Sequence, residues 1–384
     1  MLLFESLDRR FIAENRTRRV EAQQVVVHRI DDRADVALGK RLQLVQSCGI
    51  LLGELEKRKT QVSFSRTYIR ACTGRDRSPR QRLGVDVRRL EPRYVGPPYR
   101  TFEDGVFEDY WGIRSKHLQV EHGSYDMHVH TPVWDAQSVE DLQRHRWPTP
   151  DLFDYSVMRE QCARSRDYAI MYEGADLFTR PCILRNMENV MIDMIERPEM
   201  AHYLFEQFTK FYCEDITRAI EATNGGFDIY CEWSDYGTQR ALLISVGMFR
   251  EFIAPYLKRL IDVVHGAGIK FMAHSCGAIR PIIPDLIGLG IDMLDPIQVA
   301  AEGMEPAALK RDFGDKLAFH GAICTQRILP FGTPREVTDA VRHRVATLGA
   351  GGGYVLASSH DISADTPPEN IVAMYQPELR DITA

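Results

Sequence analysis

From about residue 150 onward, short apolar runs alternate with longer segments whose apolar residues recur every three or four positions. A short apolar run is typical of a buried strand, and the longer spacing indicates a helix packed by one face. The predicted strands are residues 168–173, 227–232, 269–274, 291–294, 317–323 and 354–358. The predicted helices include residues 198–222, 248–265, 278–286, 306–311, 334–348 and 367–375. This alternation predicts a parallel sheet, either closed into a barrel or open and doubly wound.

The segment before this series has a different pattern. Between residues 85 and 109, short apolar and charged stretches alternate with Pro-rich turns, which predicts short strands joined by hairpin-like turns. His128 and His130 have the spacing of residues on one face of a strand, and we interpret them as a solvated edge. Trp111 and Trp147 are predicted to be core residues.

Each strand of the regular series is followed by side chains that can do chemistry. They are Glu173; Glu232 and Asp235; His274 and Cys276; Asp295 and Gln298; His320 and Cys324; and His360 and Asp361. In a β/α barrel, functional residues collect at the carboxyl ends of the strands, around one mouth. The glycine cluster at residues 349–353 precedes a strand, which is the wrong order for a dinucleotide-binding turn. The pattern therefore favours the closed barrel.

One strand end suggests a metal. In His274-Ser-Cys276-Gly277, the histidine and the cysteine are two residues apart at the end of an apolar run. Residues i and i+2 of a strand face the same side, so imidazole and thiolate could converge on one ion. Zinc is the usual occupant of a mixed nitrogen and sulfur site. By itself the pair also fits a buried histidine beside an inert core cysteine.

Composition excludes several classes of protein. The chain has 384 residues and a net charge of −6 without a long basic stripe, so we expect no nucleic-acid partner. No window approaches the roughly 18 uninterrupted apolar residues of a membrane span, and the first residues lack a secretory signal pattern. The eight cysteines lack paired spacing, which is typical of reduced thiols. We therefore expect a cytoplasmic protein.

Several spaced motifs together resemble the uroporphyrinogen decarboxylase superfamily, which also contains zinc-dependent methyltransferases that work with corrinoid proteins or thiol acceptors. The motifs lie at residues 235–239, 274–277, 294–298, 319–326, 329–334 and 352–360, followed by Pro367-Pro-Glu-Asn370. The resemblance covers roughly residues 84–380 and implies an α/β fold, a distorted TIM (β/α)8 barrel. We predict a barrel domain at residues 84–384, preceded by a helical and irregular N-terminal extension at residues 1–83.

The two branches of the superfamily differ at the site. The Arg-rich N-terminal segment with which the decarboxylases bind carboxylates is not found here, whereas the HxC pattern looks like the methyltransferase branch. The resemblance implies Zn²⁺ held by His274 and Cys276, with His360 after the last strand in the place of the family's further cysteine. Glu232 or Cys324 is near enough in strand order to complete or exchange a ligand, although the family pattern does not support sulfur at Cys324. It also implies a small methylated substrate, cobalamin on a partner protein and a homodimer.

The alternative function is a metal-free decarboxylase acting on a carboxylated substrate, which Arg88 and His360 favour. In an unmetallated site, His274 and His360 would form hydrogen bonds or transfer protons. Cys276 acting as a covalent nucleophile is a third alternative.

Further residues are predicted to be catalytic or to bind substrate. Glu232, Asp235 and His360 are the catalytic candidates; for the two carboxylates, simple pairing with an arginine explains the pattern equally well. Arg88 either forms a surface ion pair or folds over the mouth to meet an anionic substrate. The other predicted substrate contacts are Trp233 and Tyr236, which could line a pocket for a ring, and Gln239 and Gln298, which close two of the resembling motifs.

Overall fold

The computed structural model describes residues 83–120 and 123–375, so nearly all of the predicted N-terminal extension lies outside the described residues. The strands are β1 (Val87–Arg89), β2 (Arg93–Tyr94), β3 (Arg100–Thr101), β4 (Val106–Glu108), β5 (Arg114–Val120), β6 (Gly123–His130), β7 (Phe153–Asp154), β8 (Ala169–Glu173), β9 (Ile229–Trp233), β10 (Lys270–His274), β11 (Met293–Ile297), β12 (Ala318–Ile323) and β13 (Tyr354–Ser358).

The α-helices are α1 (Val139–Gln143), α2 (Met158–Ser165), α3 (Thr179–Arg185), α4 (Met187–Glu196), α5 (Pro198–Thr223), α6 (Val246–Met248), α7 (Ala254–Gly266), α8 (Ile283–Leu289), α9 (Pro306–Phe313), α10 (Ile328–Phe331), α11 (Pro334–Leu348) and α12 (Pro368–Tyr375). Short 3-10 turns cover Pro150–Leu152 and Arg280–Ile282. A π-helical turn, Phe249–Ile253, separates α6 from α7 where the sequence predicted one continuous helix. Among the described residues, no helix is both long and apolar enough to cross a membrane.

The main sheet has seven strands in the order β1-β8-β9-β10-β11-β12-β13. Every neighbouring pair is parallel, and helices connect the successive strands from β8 to β13. The predicted parallel α/β arrangement is therefore confirmed. The sequence placed β1 among the hairpins, and this was wrong, because β1 pairs in parallel with β8 as an edge of the main sheet.

The sheet is curled. One buried cluster collects inward-facing residues from six strands: Val87, Met171, Ile229, Cys231, Met272, Met293 and Val355. Val87 and Val355 lie on the first and last strands of the sheet, yet both pack in this cluster. Because opposite edges of a flat seven-stranded sheet could not share a cluster, the sheet forms an incomplete barrel, in agreement with the predicted distorted TIM-barrel class.

Helices cover the outside of the curled sheet. The largest buried cluster contains outward-facing strand residues, such as Tyr230 and Phe271, together with residues of α5 and α7. Trp111 is buried and stacks on Phe208 of α5 with 4.3 Å between ring centroids, which confirms its predicted place in the core. At the start of α11, Thr333 and Glu336 form a capping box, so this helix begins where the sequence predicted.

A smaller antiparallel sheet, in the order β3-β4-β5-β6, precedes the barrel helices. Its long hairpin, β5–β6, pairs Leu118 with Tyr125 and Lys116 with Met127. An ion pair of 3.6 Å between Asp109 and Arg180 joins this region to α3, which follows β8. The small sheet therefore lies beside the end of the barrel at which the parallel strands finish.

Candidate metal centre at the strand ends

The carboxyl ends of the barrel strands carry a layer of polar side chains. Because strand residues alternate between two faces, the positions two residues beyond the inward-facing apolar cluster also face inward. They are Arg89, Glu173, Trp233, His274, Asp295 and His320. An apolar layer deeper in the barrel therefore supports a charged layer at its mouth.

Strand register brings a histidine and a carboxylate together in this layer. His274 of β10 pairs directly with Asp295 of β11, and the His274 Nδ1 lies 2.5 Å from Asp295 Oδ2. The other Asp295 oxygen accepts a hydrogen bond from His320 Nδ1 on β12. All three side chains are buried, so this chain of hydrogen bonds is shielded from water.

The charged groups in this series of hydrogen bonds stabilise one another. Burial disfavours the charged imidazole of His274, but the Asp295 carboxylate outweighs it and raises the His274 pKa well above its ordinary value. Burial also opposes ionisation of Asp295, yet His320 and His274 hold the Asp295 pKa well below its usual range. With Nδ1–H donating to Asp295, the Nε2 atom of His274 is left to face the mouth.

Two further donor atoms lie beside this Nε2. The Cys276 Sγ and an Asp235 oxygen, Oδ1, each lie 3.6 Å from His274 Nε2. The nitrogen, sulfur and carboxylate donors all lie within 4.8 Å of one another. The same Asp235 oxygen accepts a hydrogen bond of 2.7 Å from the Cys276 backbone N–H, which fixes the carboxylate beside the thiol.

His360 joins this group through Cys276. The two side chains are hydrogen-bonded, and this contact raises the His360 pKa above its ordinary value although burial opposes it. Burial would raise the Cys276 pKa, but His274 and His360 outweigh it and the thiol pKa is lowered. His360 is exposed and contacts Cys276, whereas the three donor atoms that lie within 4.8 Å of one another come from Asp235, His274 and Cys276.

Cys324 stands apart from these residues. It is buried beyond the end of β12, and it is not part of the donor group formed by Asp235, His274 and Cys276. The geometry therefore does not support the predicted role of Cys324 as a sulfur ligand.

Two glycines hold the loops of this site together. Gly277 has a φ of +93°, and a Cβ built on it would lie 2.5 Å from the backbone carbon of Gly237. A Cβ on Gly237 would in turn lie 2.8 Å from the carbonyl oxygen of Cys276. Gln298 reinforces the junction, because its Oε1 accepts a 2.7 Å hydrogen bond from the Gly277 N–H. Gln298, predicted to bind substrate, thus supports the loop that carries Cys276.

Glu232 does not reach the mouth. Ile229, Cys231 and Trp233 face the barrel interior, so Glu232 faces the surrounding helices. There it contacts the Ser234 hydroxyl and is fully buried, and burial raises its pKa to about 8. The geometry does not support the predicted catalytic role of Glu232, because its carboxyl group lies on the wrong side of β9.

The alternation of side chains between the two faces of a strand also places Arg88 away from the mouth. Its guanidinium lies 3.6 Å from the ring centroid of Tyr168 and donates to the carbonyl oxygens of Val85 and Val87. Tyr168 precedes β8, so Arg88 is directed away from the mouth. The inward-facing neighbour, Arg89, instead pairs with Glu173 in the polar layer. The sequence interpretation chose Arg88 and missed Arg89, the next residue along the strand.

The other predicted substrate contacts separate into two groups. Trp233 faces the mouth and packs on His274, with 4.4 Å between ring centroids. Tyr236 is buried against Phe178 and Phe249 in the outer core, so it does not line the mouth as predicted. Gln239 is exposed in the loop after β9, and its backbone carbonyl accepts a hydrogen bond from Glu302.

Residues 178–377 match the family model described as "Uroporphyrinogen decarboxylase (URO-D)". The chain belongs to the uroporphyrinogen decarboxylase family. A curated member, uroporphyrinogen decarboxylase of Neisseria meningitidis, is 22% identical over 57% of this chain and 60% of its own length. Uroporphyrinogen decarboxylase 2 of rice is 25% identical over 50% of this chain and 46% of its own length. The chain thus spans about half of the length of these two relatives.

Among solved structures, a methyltransferase from Methanosarcina mazei matches this URO-D family member with a TM-score of 0.57. The match covers 90% of this chain and 96% of the other, at 17% sequence identity. This similarity establishes a shared fold over nearly the whole length of both proteins.

Proposed function

We propose that this protein is a zinc-dependent methyltransferase or demethylase of the URO-D family. It would move a methyl group from a small methylated substrate to or from a corrinoid protein or a thiol. The observation that carries the proposal is the convergence of His274 Nε2, Cys276 Sγ and an Asp235 oxygen within 4.8 Å. The Methanosarcina protein of similar fold is described as a methyltransferase, which is consistent with this proposal.

The donor set fits zinc. Catalytic zinc sites use about three protein ligands from His, Cys and carboxylate side chains and keep one position open for water or substrate. His274 has the carboxylate partner on its second nitrogen that is characteristic of metal-binding histidines. His274, Cys276 and Asp235 would hold the ion, and His360 lies close enough to Cys276 to complete or exchange a ligand. When bound, zinc would favour the thiolate form of a thiol substrate or polarise a substrate oxygen.

The protein side chains supply the remaining parts of the reaction. Methyl transfer requires an acceptor to attack the methyl carbon, and a proton for the heteroatom that leaves. His360, with its raised pKa and exposed position, is suited to hold that proton at the rim. The Trp233 ring beside His274 would exclude water from one wall of the site.

Arg89 offers a contact for an anionic group of the substrate. Its side chain is 31% exposed and faces inward, and its partner Glu173 is 6% exposed. A guanidinium fork can bind a carboxylate in a bidentate manner while it keeps one hydrogen bond to Glu173. We therefore propose that the methylated substrate also carries a carboxylate or a similar anion.

A metal-free decarboxylase is the second candidate, and one observation favours it. Arg89 could hold a carboxylate while the His274–Asp295–His320 chain donates a proton to the carbon that loses carbon dioxide. This activity would agree with the names of the curated relatives. It requires no ion, so metal content separates the two candidates.

The first experiment is elemental analysis of purified protein and of two ligand variants. We expect about one zinc per chain in the wild type and a strong loss of zinc in His274→Ala and Cys276→Ser. Cys324→Ser is the matched control, because Cys324 is a buried cysteine outside the donor group, and this variant should retain zinc. A metal-free wild-type protein after expression with added zinc would refute the metal proposal.

The second experiment measures the reaction. The zinc-loaded enzyme is incubated with a panel of methylated carboxylates and either reduced cobalamin or a thiol, and the methylated acceptor is followed by absorbance or mass spectrometry. Methyl transfer that disappears in Cys276→Ser and persists in Cys324→Ser supports the proposal. Release of carbon dioxide without methyl transfer would support the decarboxylase instead.

A further inference from the structure

Arg180 lies at the mouth of the barrel, next to the proposed metal centre. It is the second residue of α3, the helix that follows β8. The residue before it, Thr179, accepts a 3.1 Å hydrogen bond through Oγ1 from the backbone N–H of Asp235. Asp235 is one of the three proposed metal donors. Arg180 therefore follows directly on a residue that holds a donor in place.

The guanidinium of Arg180 lacks hydrogen-bond acceptors. An arginine side chain carries five N–H donors. Those of Arg180 make no hydrogen bond within the described part of the chain, and its ion-pair partner, Asp109, lies 3.6 Å from Nη1. The side chain is 37% exposed, so most of it is shielded from water while part stays accessible. A shielded donor without an acceptor is costly, and a bound ligand can supply the acceptor.

The carboxylates beside Arg180 are held by other groups. Asp109 Oδ1 accepts hydrogen bonds from the backbone N–H groups of Trp111 and Ile113, at 2.9 and 3.0 Å. Asp176 accepts backbone N–H groups of its own loop in the same way. An anchored carboxylate at 3.6 Å cannot form the two parallel N–H bonds of a bidentate pair. Asp109 thus balances the charge of Arg180 but leaves its donors for another acceptor.

Three tyrosines lie around this guanidinium. Burial raises the pKa of Tyr99 to about 12 and also raises that of Tyr110, and the charge of Arg180 opposes the rise in both. Burial likewise raises the pKa of Tyr212 on α5, again against the effect of Arg180. All three phenols therefore keep their protons at neutral pH. A protonated phenol can donate a hydrogen bond to an anion beside the guanidinium.

Two arginines lie near the end of β8. Arg89 belongs to the inward-facing polar layer and pairs with Glu173, the last residue of β8. The chain then leaves the sheet, and Arg180 follows in α3, where it contacts Asp109 from the region of the small sheet. One guanidinium thus lies within the barrel and the other at its rim, and the neighbouring strand β9 leads to the donor Asp235.

We propose that Arg180 binds a second anionic group of the substrate while Arg89 binds the first, so that the substrate is an elongated dianion of the dicarboxylate type. This inference rests on the proposed function and on the contact proposed for Arg89. One carboxylate reaches the polar layer, and the other stays at the rim between α3 and the small sheet. The planar fork of Arg180 suits a carboxylate, which would supply the acceptors that Asp109 does not.

Isothermal titration calorimetry of the full chain tests this substrate class without turnover. The probes are the linear dicarboxylates from succinate to suberate and the monocarboxylates of the same lengths. We expect at least one dicarboxylate to bind roughly 10- to 100-fold more tightly than its monocarboxylate, because one charge-assisted contact is added. If no dicarboxylate binds more tightly than the monocarboxylate of equal length, the inference is wrong.

Two variants separate ligand binding from a structural link between α3 and the small sheet. Arg180→Ala should abolish the preference for the dicarboxylate and leave the binding of the monocarboxylate unchanged. Asp109→Asn breaks the same ion pair but keeps the guanidinium, so the preference should persist. An equal loss of the preference in both variants would show that Arg180 only joins the two regions, and would overturn the proposal.

A conservative variant and a control complete the set. Arg180→Lys keeps the charge without the fork and should retain only part of the preference, so its comparison with Asp109→Asn decides if Arg180→Ala does not fold. Arg240→Ala, which removes an exposed arginine in the loop after β9, should retain the full preference. Circular dichroism checks that each variant is folded. An unchanged preference in folded Arg180→Ala or Arg180→Lys would refute the role of this guanidinium.

The calorimetry is independent of the methyl-transfer assay, because it requires neither zinc nor a methyl acceptor. A dicarboxylate preference that depends on Arg180 supports the anion subsite even in a protein that transfers no methyl group. Methyl transfer from methylated monocarboxylates and dicarboxylates with the same KM, in both the wild type and Arg180→Ala, would support the proposed function and overturn this inference alone.

Discussion

Replacing Asp295 with asparagine tests the proposed metal centre at a residue that is not itself a ligand. The carboxylate of Asp295 accepts hydrogen bonds from both His274 and His320 in a buried setting. Asparagine has nearly the same shape but carries no charge, and it can accept with only one of its two polar atoms. The substitution therefore weakens the hold on the His274 ring and leaves Cys276 and Asp235 in place.

The expected loss can be bounded from the structure. Changing the carboxylate partner of a metal-bound histidine typically lowers metal affinity roughly 10- to 100-fold. This corresponds to about 1.4 to 2.7 kcal/mol of binding free energy. We expect the upper part of this range, because the 2.5 Å contact with His274 is short and shielded from solvent.

The assay is a zinc titration in competition with a chromophoric chelator, with thermal unfolding of each variant measured alongside. Asp292→Asn is the matched control, since Asp292 makes the same kinds of contact, to Lys270 and His265, at a partly exposed site at the other end of β11. Zinc affinity should fall in Asp295→Asn and stay constant in Asp292→Asn. A folded Asp295→Asn protein with wild-type zinc affinity would show that this carboxylate does not support a metal ligand.

Three further predictions follow from the fold. Arg89→Ala should raise the KM for an anionic substrate about tenfold or more in steady-state kinetics, whereas Arg88→Ala should not. Burial raises the Asp215 pKa from 3.8 to about 6. The contribution of this residue to stability is therefore full below pH 3.8 and is lost as the pH rises through 6, a decline of up to about 3 kcal/mol in the free energy of unfolding. Urea unfolding of Asp215→Asn should lack this decline. Trp111→Ala should lower the free energy of unfolding in urea by about 3 to 5 kcal/mol, because it removes the ring stacked on Phe208. Unchanged values in these three measurements would contradict the respective assignments.

Sequence reasoning was most accurate where local signals mark the ends of an element. Helix α11 and strand β13 have the predicted bounds, since a capping box and a first-turn proline define the start of α11. Strand β1 was missed as part of the barrel because it has only three residues and its pairing with β8 is distant in sequence. Short strands carry too few alternating positions to reveal the sheet to which they belong.

The errors among the predicted site residues concern the strand face on which a side chain lies, and not the type of residue. Arg88 and Glu232 have suitable side chains, but each lies one position from an inward-facing residue. A shift of one residue moves a side chain to the opposite face, and the bounds predicted for β9 did not fix its inward-facing positions. Asp295 was recognised at a strand end, yet its link to His274 depends on the register between β10 and β11. That register is set when the sheet folds, so the sequence pattern alone did not reveal the contact between Asp295 and His274.

The contact between Gly237 and Gly277 has a consequence for any attempt to change the substrate of the proposed reaction. Because neither position has room for a side chain, the two loops it joins behave as one rigid block, and substitutions there would separate Asp235 from Cys276. Attempts to redesign the specificity should therefore leave this block unchanged. Libraries are better directed at outlying positions such as Gln239, in the loop after β9, and Phe331, the last residue of α10, whose exposed side chains can vary without disturbing this block.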